Sequence, residues 1–190
     1  MNPVFSAALE VQAWLQTQRW RFCIIGGVAV QRWGQPRFTH DVDLTLLTGF
    51  GSEEGFIQKL VSHFAPRRPD AADFAVRHRV LLLQTTSGVP VDMALGGLPF
   101  EERCVERASA FALPEGHSLV TCSAEDLVVH KCFAGRDRDW ADVETILNRQ
   151  QGKLNLPLVF SELEPLLELK QEPDSARRLR DMISRLENAP

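Results

Sequence analysis

CIIGGVAVQRWGQPRFTHDVDLTLL, residues 23–47, decides how the rest of the chain is read. An apolar run ends in Gly26 and Gly27, a short helix-like piece follows, and Asp41 and Asp43 then interrupt a second apolar run. Side chains two apart on a strand share a face. Asp41 and Asp43 therefore project together, while Val42 and Leu44 turn the other way into a core. Neighbouring carboxylates repel, and burial pushes at least one towards its neutral form. Divalent cations relieve that conflict by supplying positive charge. Magnesium prefers oxygen ligands, usually one or two carboxylates plus substrate phosphates. Two such ions about 3.5–4 Å apart clamp the attacking and leaving oxygens of a phosphoryl-type displacement.

A third carboxylate fits the pattern. In VPVDMAL, Asp92 is again an acid inside an apolar strand, between Val91 and Met93. If that strand pairs beside DVDLTLL, three aspartates converge at one sheet end. Gly26-Gly27 follows a buried strand and opens a helix, so backbone N–H groups are free to face a phosphate. Arg37 and Thr39 add a charged and a hydroxyl contact for a triphosphate. Each feature has a plainer reading: Asp41 as a cap, Asp43 as an exposed side chain, Asp92 as a turn residue, Gly-Gly as a turn. Their coincidence favours a site.

Outward from this stretch, residues 4–18 carry helical periodicity behind Asn2-Pro3, and RFCIIG is a short buried strand. Ser52 is expected to cap a helix with Phe56, Ile57, Leu60, Val61 and Phe64 on its apolar face. RHRVLLLQTTSGVPVDMAL reads as two strands about Ser87-Gly88. A helix over 99–108 and extended pieces in AFALP and HSLVTC follow. Ser123 caps AEDLVVHKCFAG, Gly135 ends it, and DRDWADVETILNRQ, PLVFSELEPLLELK and DSARRLRDMISRLE supply three more helices. The expected fold class is α+β, a small mixed sheet flanked by helices and followed by a C-terminal helical region. The single boundary falls between 1–122 and 123–190.

The totals suit this. Of 190 residues, 44% are hydrophobic and 24% charged, enough to bury a core. A net charge of −4 argues against wholesale wrapping of nucleic acid. Cys23, Cys104, Cys122 and Cys132 have no metal-finger spacing and suit free thiols in a reducing cytoplasm. The N-terminus lacks a basic n-region, and no apolar run approaches a membrane span, so a cytoplasmic protein with no membrane partner is expected. The five histidines form no ligand spacing.

Gly26-Gly27, then Asp41-Val42-Asp43, then Asp92 resembles the nucleotidyltransferase fold shared by DNA polymerase β and the minimal nucleotidyltransferases. GGVAVQRWGQPRFTHDVDL is most similar to the AbiEii/AbiGii group, which includes nucleotide-transferring toxins of toxin–antitoxin and phage-defence systems. DLVVHKCFAGRDRDWADV supports the resemblance with Lys131, Arg136, Arg138, Asp139 and Asp142. Gly-Gly stands where many active relatives have Gly-Ser.

The resemblance implies transfer of a nucleoside monophosphate from an NTP to an acceptor hydroxyl, on a tRNA 3′ end or a protein side chain. It implies two Mg²⁺ ions (Mn²⁺ as a substitute) held by Asp41, Asp43 and Asp92. Nucleotide contacts would come from Gly26, Gly27, Arg37, Thr39, Lys131, Arg136 and Asp139, with Asp139 or Asp142 orienting Lys131. A cognate antitoxin belongs to the implied partners. Helix-surface pairing of Arg138 with Asp142 and Arg136 with Asp139 is the plainer account of that charge cluster. Arg177, Arg178, Arg180 and Arg185 reach RNA phosphates or form a solvated helix face. The competing functions are a non-catalytic nucleotide-binding regulator or antitoxin partner of the same fold, and an antibiotic nucleotidyltransferase.

Overall fold

A computed structural model describes residues 2–188. The chain divides into two compact units, Met1–Ala29 with Phe38–Cys122, and Val30–Arg37 with Ser123–Pro190. Each is described by itself.

The first unit begins with helix α1 (Pro3–Thr17). The Asn2 side chain accepts from the Val4 N–H at 2.9 Å, and Pro3 takes the first helical position, where no backbone donor is needed. Strands β1 (Phe22–Ile24), β2 (Val42–Leu47), β3 (Ala65–Pro66), β4 (Val80–Gln84), β5 (Pro90–Gly96), β6 (Ser109–Ala112) and β7 (Ser118–Thr121) form one sheet, ordered β3-β4-β5-β2-β1-β7-β6 among the described residues. β2 runs parallel to β5 and β1 to β7, while the other pairs are antiparallel. Helices α3 (Glu53–His63), α4 (Ala71–His78) and α5 (Pro99–Arg107) complete this unit, and α2 (Gly26–Trp33) begins in it.

Alternation fixes which way each strand faces. Val42, Leu44, Leu81, Leu83, Val91 and Met93 are buried in one core with Val4, Ala8, Val11 and Leu15 of α1 and Ile57 and Leu60 of α3. Asp43, Leu82 and Asp92 occupy the intervening, half-buried positions on the opposite face. The hydrophobic pattern therefore sets the carboxylates' direction: a one-residue slip would bury them and expose the core residues.

Two local readings change. Ser52 holds the position before α3, but its side chain makes no capping hydrogen bond; Glu53 and Glu54 in the first turn complement the helix dipole instead. Helix α4 was not expected. Its buried residues are only Ala71 and Ala75, too small to write an apolar stripe in the sequence.

The second unit is helical: α6 (Ala124–Ala134), α7 (Asp137–Arg149), α8 (Leu156–Lys170) and α9 (Asp174–Glu187). Ser123 Oγ accepts from the Asp126 N–H at 3.0 Å, and Gly135 stops α6 with φ +70°. α6 packs on α7 and α8, and α8 on α9. Leu127, Val128, Cys132, Val143, Ile146, Val159, Leu163 and Leu179 are buried. All four cysteines are buried and none is in a disulfide. Among the described residues no helix is long and apolar enough to cross a membrane.

Candidate active site

The parallel pairing of β2 with β5 puts Asp43 in register with Asp92. Asp41 lies one residue before β2. Register partners on adjacent strands project from the same face, about 4.8 Å apart. The three aspartates thus belong to one edge of the half-buried face, and on the other side Val42, Leu44, Val91 and Met93 are at most 1% exposed.

The glycines are packed directly against this edge. A β-carbon added to Gly27 would stand 2.3 Å from Thr39 Oγ1, and Gly26 carries φ +58°. The Gly27 N–H points at Asp43 Oδ2 at 3.4 Å, so the first turn of α2 directs a backbone donor at a carboxylate. Thr39 is buried, and its hydroxyl donates to Asp41 Oδ1 at 3.0 Å. Thr39 therefore orients an acid as well as meeting Gly27. The absence of a serine at position 27 has a steric reason: its β-carbon would collide with Thr39.

Asp92 meets a cation that the sequence did not single out. Arg67 donates to Asp92 Oδ1 through Nη2. Its placement follows from the sheet: the Arg67 N–H bonds to the Leu82 carbonyl at 3.0 Å, and Leu82 is in register with Asp92. Arg67, two strands away, spans about 10 Å along the sheet surface. Burial raises the Asp92 pKa above the ordinary aspartate value; Arg67 opposes this and the Asp41 charge adds to it. No sequence motif marks Arg67, because only strand register places it.

Three carboxylates on adjoining strands are hard oxygen donors of the kind Mg²⁺ takes. Each is turned to a partner within the protein: Asp41 to Thr39, Asp43 to the Gly27 amide, Asp92 to Arg67. Among the described residues no group of three or more His, Cys, Asp or Glu is placed to hold a metal ion as it stands. The donor chemistry fits a divalent ion.

In the second unit, Lys131 is 7% exposed and bonds to two aspartates, with Nζ 2.9 Å from Asp139 Oδ1 and 2.9 Å from Asp142 Oδ2. Arg136 Nε meets Asp139 Oδ2 at 2.6 Å, and Arg37 grips Asp142 with two bonds of 2.6 Å. The five residues form a line of alternating charge, Arg37–Asp142–Lys131–Asp139–Arg136. Burial would raise both carboxyl pKa values; hydrogen bonds from Arg136 and Lys131 on Asp139, and from Arg37 and Lys131 on Asp142, outweigh it and hold both below the ordinary range. Arg136 and Asp139 do pair as helix neighbours, and Asp142 reaches beyond its own helix to Lys131 and Arg37.

Along α9, Arg180 pairs with Glu164, and Arg177 pairs with Asp174 at 2.9 Å. Arg177, Arg178 and Arg185 line an open cavity of about 360 Å³ together with Asp174 and Asp181, and Arg178 lies over the Trp140 ring at 4.5 Å. Acids and bases share this surface, as on a solvated helix face.

No protein-family model and no curated protein matches the chain. Among solved structures it is similar to an antigenic nucleotidyltransferase-like protein from Paracoccidioides brasiliensis, at 17% identity and TM-score 0.50, covering 93% of this chain and 91% of that one. It is more distantly similar to the antibiotic-resistance factor ANT(2'')-Ia, at 14% identity and TM-score 0.48 over 90% of this chain and 93% of that one. A third likeness is to the lincosamide antibiotic adenylyltransferase LnuA, at 14% identity and TM-score 0.41 over 72% and 91%. At these identities the likeness concerns architecture, and only the first is close enough to weigh. A mixed seven-stranded sheet among the described residues, flanked by helices, is the nucleotidyltransferase fold.

Proposed function

We propose that the chain is a divalent-metal-dependent nucleotidyltransferase, moving a nucleoside monophosphate from an NTP to an acceptor hydroxyl and releasing pyrophosphate. The observation that carries this reading is the register of Asp43 with Asp92, next to Asp41 and against a glycine turn that admits no β-carbon. Asp41, Asp43 and Asp92 would hold Mg²⁺, which when bound neutralises phosphate charge and acidifies the acceptor hydroxyl. Thr39 fixes the rotamer of Asp41. Gly26 and Gly27 keep the backbone close enough for the first amides of α2 to face phosphate. Asp92 would also draw the proton from the acceptor hydroxyl that the metal has acidified. Positioning and charge stabilisation supply most of the rate in such chemistry.

The nucleotide contacts implied for Arg37, Lys131, Arg136 and Asp139 form a separate proposal for the second unit. There the Arg136 side chain is 76% exposed and that of Lys131 is 8% exposed, so a phosphate would meet Arg136 more readily, and Lys131 is the buried centre of the ion-pair line. Asp139 then orients both cations. The acceptor is a tRNA 3′ end or a protein side chain, and the sequence resemblance favours an AbiEii-like component of a toxin–antitoxin or phage-defence system.

The Arg67–Asp92 pair favours one second reading, a nucleotide-binding regulator that has lost turnover. Incubation with each labelled NTP, Mg²⁺, and tRNA or cell lysate separates the two. Label transfer that disappears in Asp41→Ala/Asp43→Ala supports the enzyme. Nucleotide binding without transfer supports the regulator, and transfer by the double variant removes the assigned site.

A further inference from the structure

We propose that Arg67 is a built-in counter-ion for Asp92, which a divalent cation has to displace, so that Arg67 sets the metal affinity of the carboxylate cluster. The inference rests on the metal site proposed above and adds to it a residue that no motif contains.

Three observations converge on Arg67. Its guanidinium meets Asp92 directly, and its side chain is 29% exposed against 37% for Asp92, so the pair is partly shielded from water. Its position is fixed by backbone, because its N–H bonds to Leu82, the register neighbour of Asp92. Asp92 is in register with Asp43, so Arg67 brings a positive charge to a pair of neighbouring carboxylates. A guanidinium stays protonated under all ordinary conditions, so it holds this place until another cation takes it.

A metal ion and Arg67 therefore compete for one carboxylate. Unlike a lysine, whose single ammonium is a point charge, the planar fork of arginine stays directed when one of its bonds is lost. Once displaced, Arg67 remains tethered by its backbone beside the cluster, a unit positive charge that disfavours a nearby divalent ion. Neutralising it should tighten metal binding about tenfold or more, given a unit charge several ångströms from a divalent ion in a half-exposed site.

The test is Mn²⁺ binding to the full chain without nucleotide, followed by electron paramagnetic resonance and calorimetry, for wild type, Arg67→Gln, Arg67→Lys, Asp43→Asn and Asp92→Asn. Arg67→Gln keeps most of the side-chain volume, and thermal melts verify that each variant is folded. The expected result is tighter Mn²⁺ binding for Arg67→Gln, near wild-type binding for Arg67→Lys, and weakened binding for both aspartate variants. Binding by Arg67→Gln that is equal to or weaker than wild type, while Asp43→Asn still abolishes it, overturns the counter-ion role and leaves the metal site standing. Binding unaffected by Asp43→Asn and Asp92→Asn, or no binding by any variant, overturns the metal site and the counter-ion role together.

Discussion

A β-carbon on Gly26 would stand 2.0 Å from Oδ2 of Asp43, so the first turn of α2 and the acid-bearing strand touch with no room for a side chain. Gly26 also has φ +58°, a conformation that most L-residues adopt only with strain. Gly26→Ala is expected to cost about 1–3 kcal/mol by urea denaturation. It should also abolish the proposed metal-dependent nucleotidyl transfer, because Asp43 has to move.

Gly27 and Thr39 are coupled in the same way. Gly27→Ser places a β-carbon against Thr39 Oγ1, and Thr39→Ala removes that oxygen but leaves Thr39 Cβ at 2.9 Å. The double variant should recover part of the stability lost by Gly27→Ser alone, and a double-mutant cycle should give a coupling of about 0.5–3 kcal/mol. Additive effects would mean that the two positions do not touch.

Lys131 is buried between Asp139 and Asp142. Replacing it by Met leaves two buried carboxylates with one guanidinium partner each. The expected loss approaches the roughly 3–5 kcal/mol seen when a buried ion pair is broken from one side. Lys131→Arg should cost less. Denaturant unfolding of the three proteins checks the order.

Acid should act on the second unit through the same residues. Asp139 and Asp142 have pKa values in the fold held below the ordinary range, to which they return on unfolding. Their stabilisation is therefore complete above the unfolded value of about 3.9 and is lost as pH falls through the lower native values. Circular dichroism between neutral pH and pH 2 should show this decline, and Asp139→Asn/Asp142→Asn should flatten it.

Thr45 Oγ1 is buried and makes no hydrogen bond to a described residue. Thr45→Val keeps the shape of the side chain and removes that oxygen, so stability should be unchanged or raised by about 1 kcal/mol. A loss of more than that in denaturant titrations would show that the hydroxyl has a partner.

How much of this was readable from sequence follows from how each feature is encoded. Asp43 and Asp92 announced themselves because an acid between buried neighbours, Val42 and Leu44 or Val91 and Met93, breaks a local pattern. Helices α6 to α9 were all expected, α6 from its caps Ser123 and Gly135. Helix α4 was not, since Ala71 and Ala75 write no apolar stripe. Arg67 was invisible because its meaning lies two strands away, in the register through Leu82 to Asp92. The steric reason for Gly27 was equally hidden, as nothing in the sequence puts Thr39 Oγ1 in its way.

The shared register of β2 and β5 ties chemistry to folding. Val42 with Val91 and Leu44 with Met93 lock the two strands from behind, and Asp43 faces Asp92 on the front as a direct result. Packing that locks the interior thus also aligns positions 43 and 92 on the front, whatever side chains stand there. A sequence that loses its acids can keep this core intact and persist as a binding protein, whereas one that loses the register keeps neither.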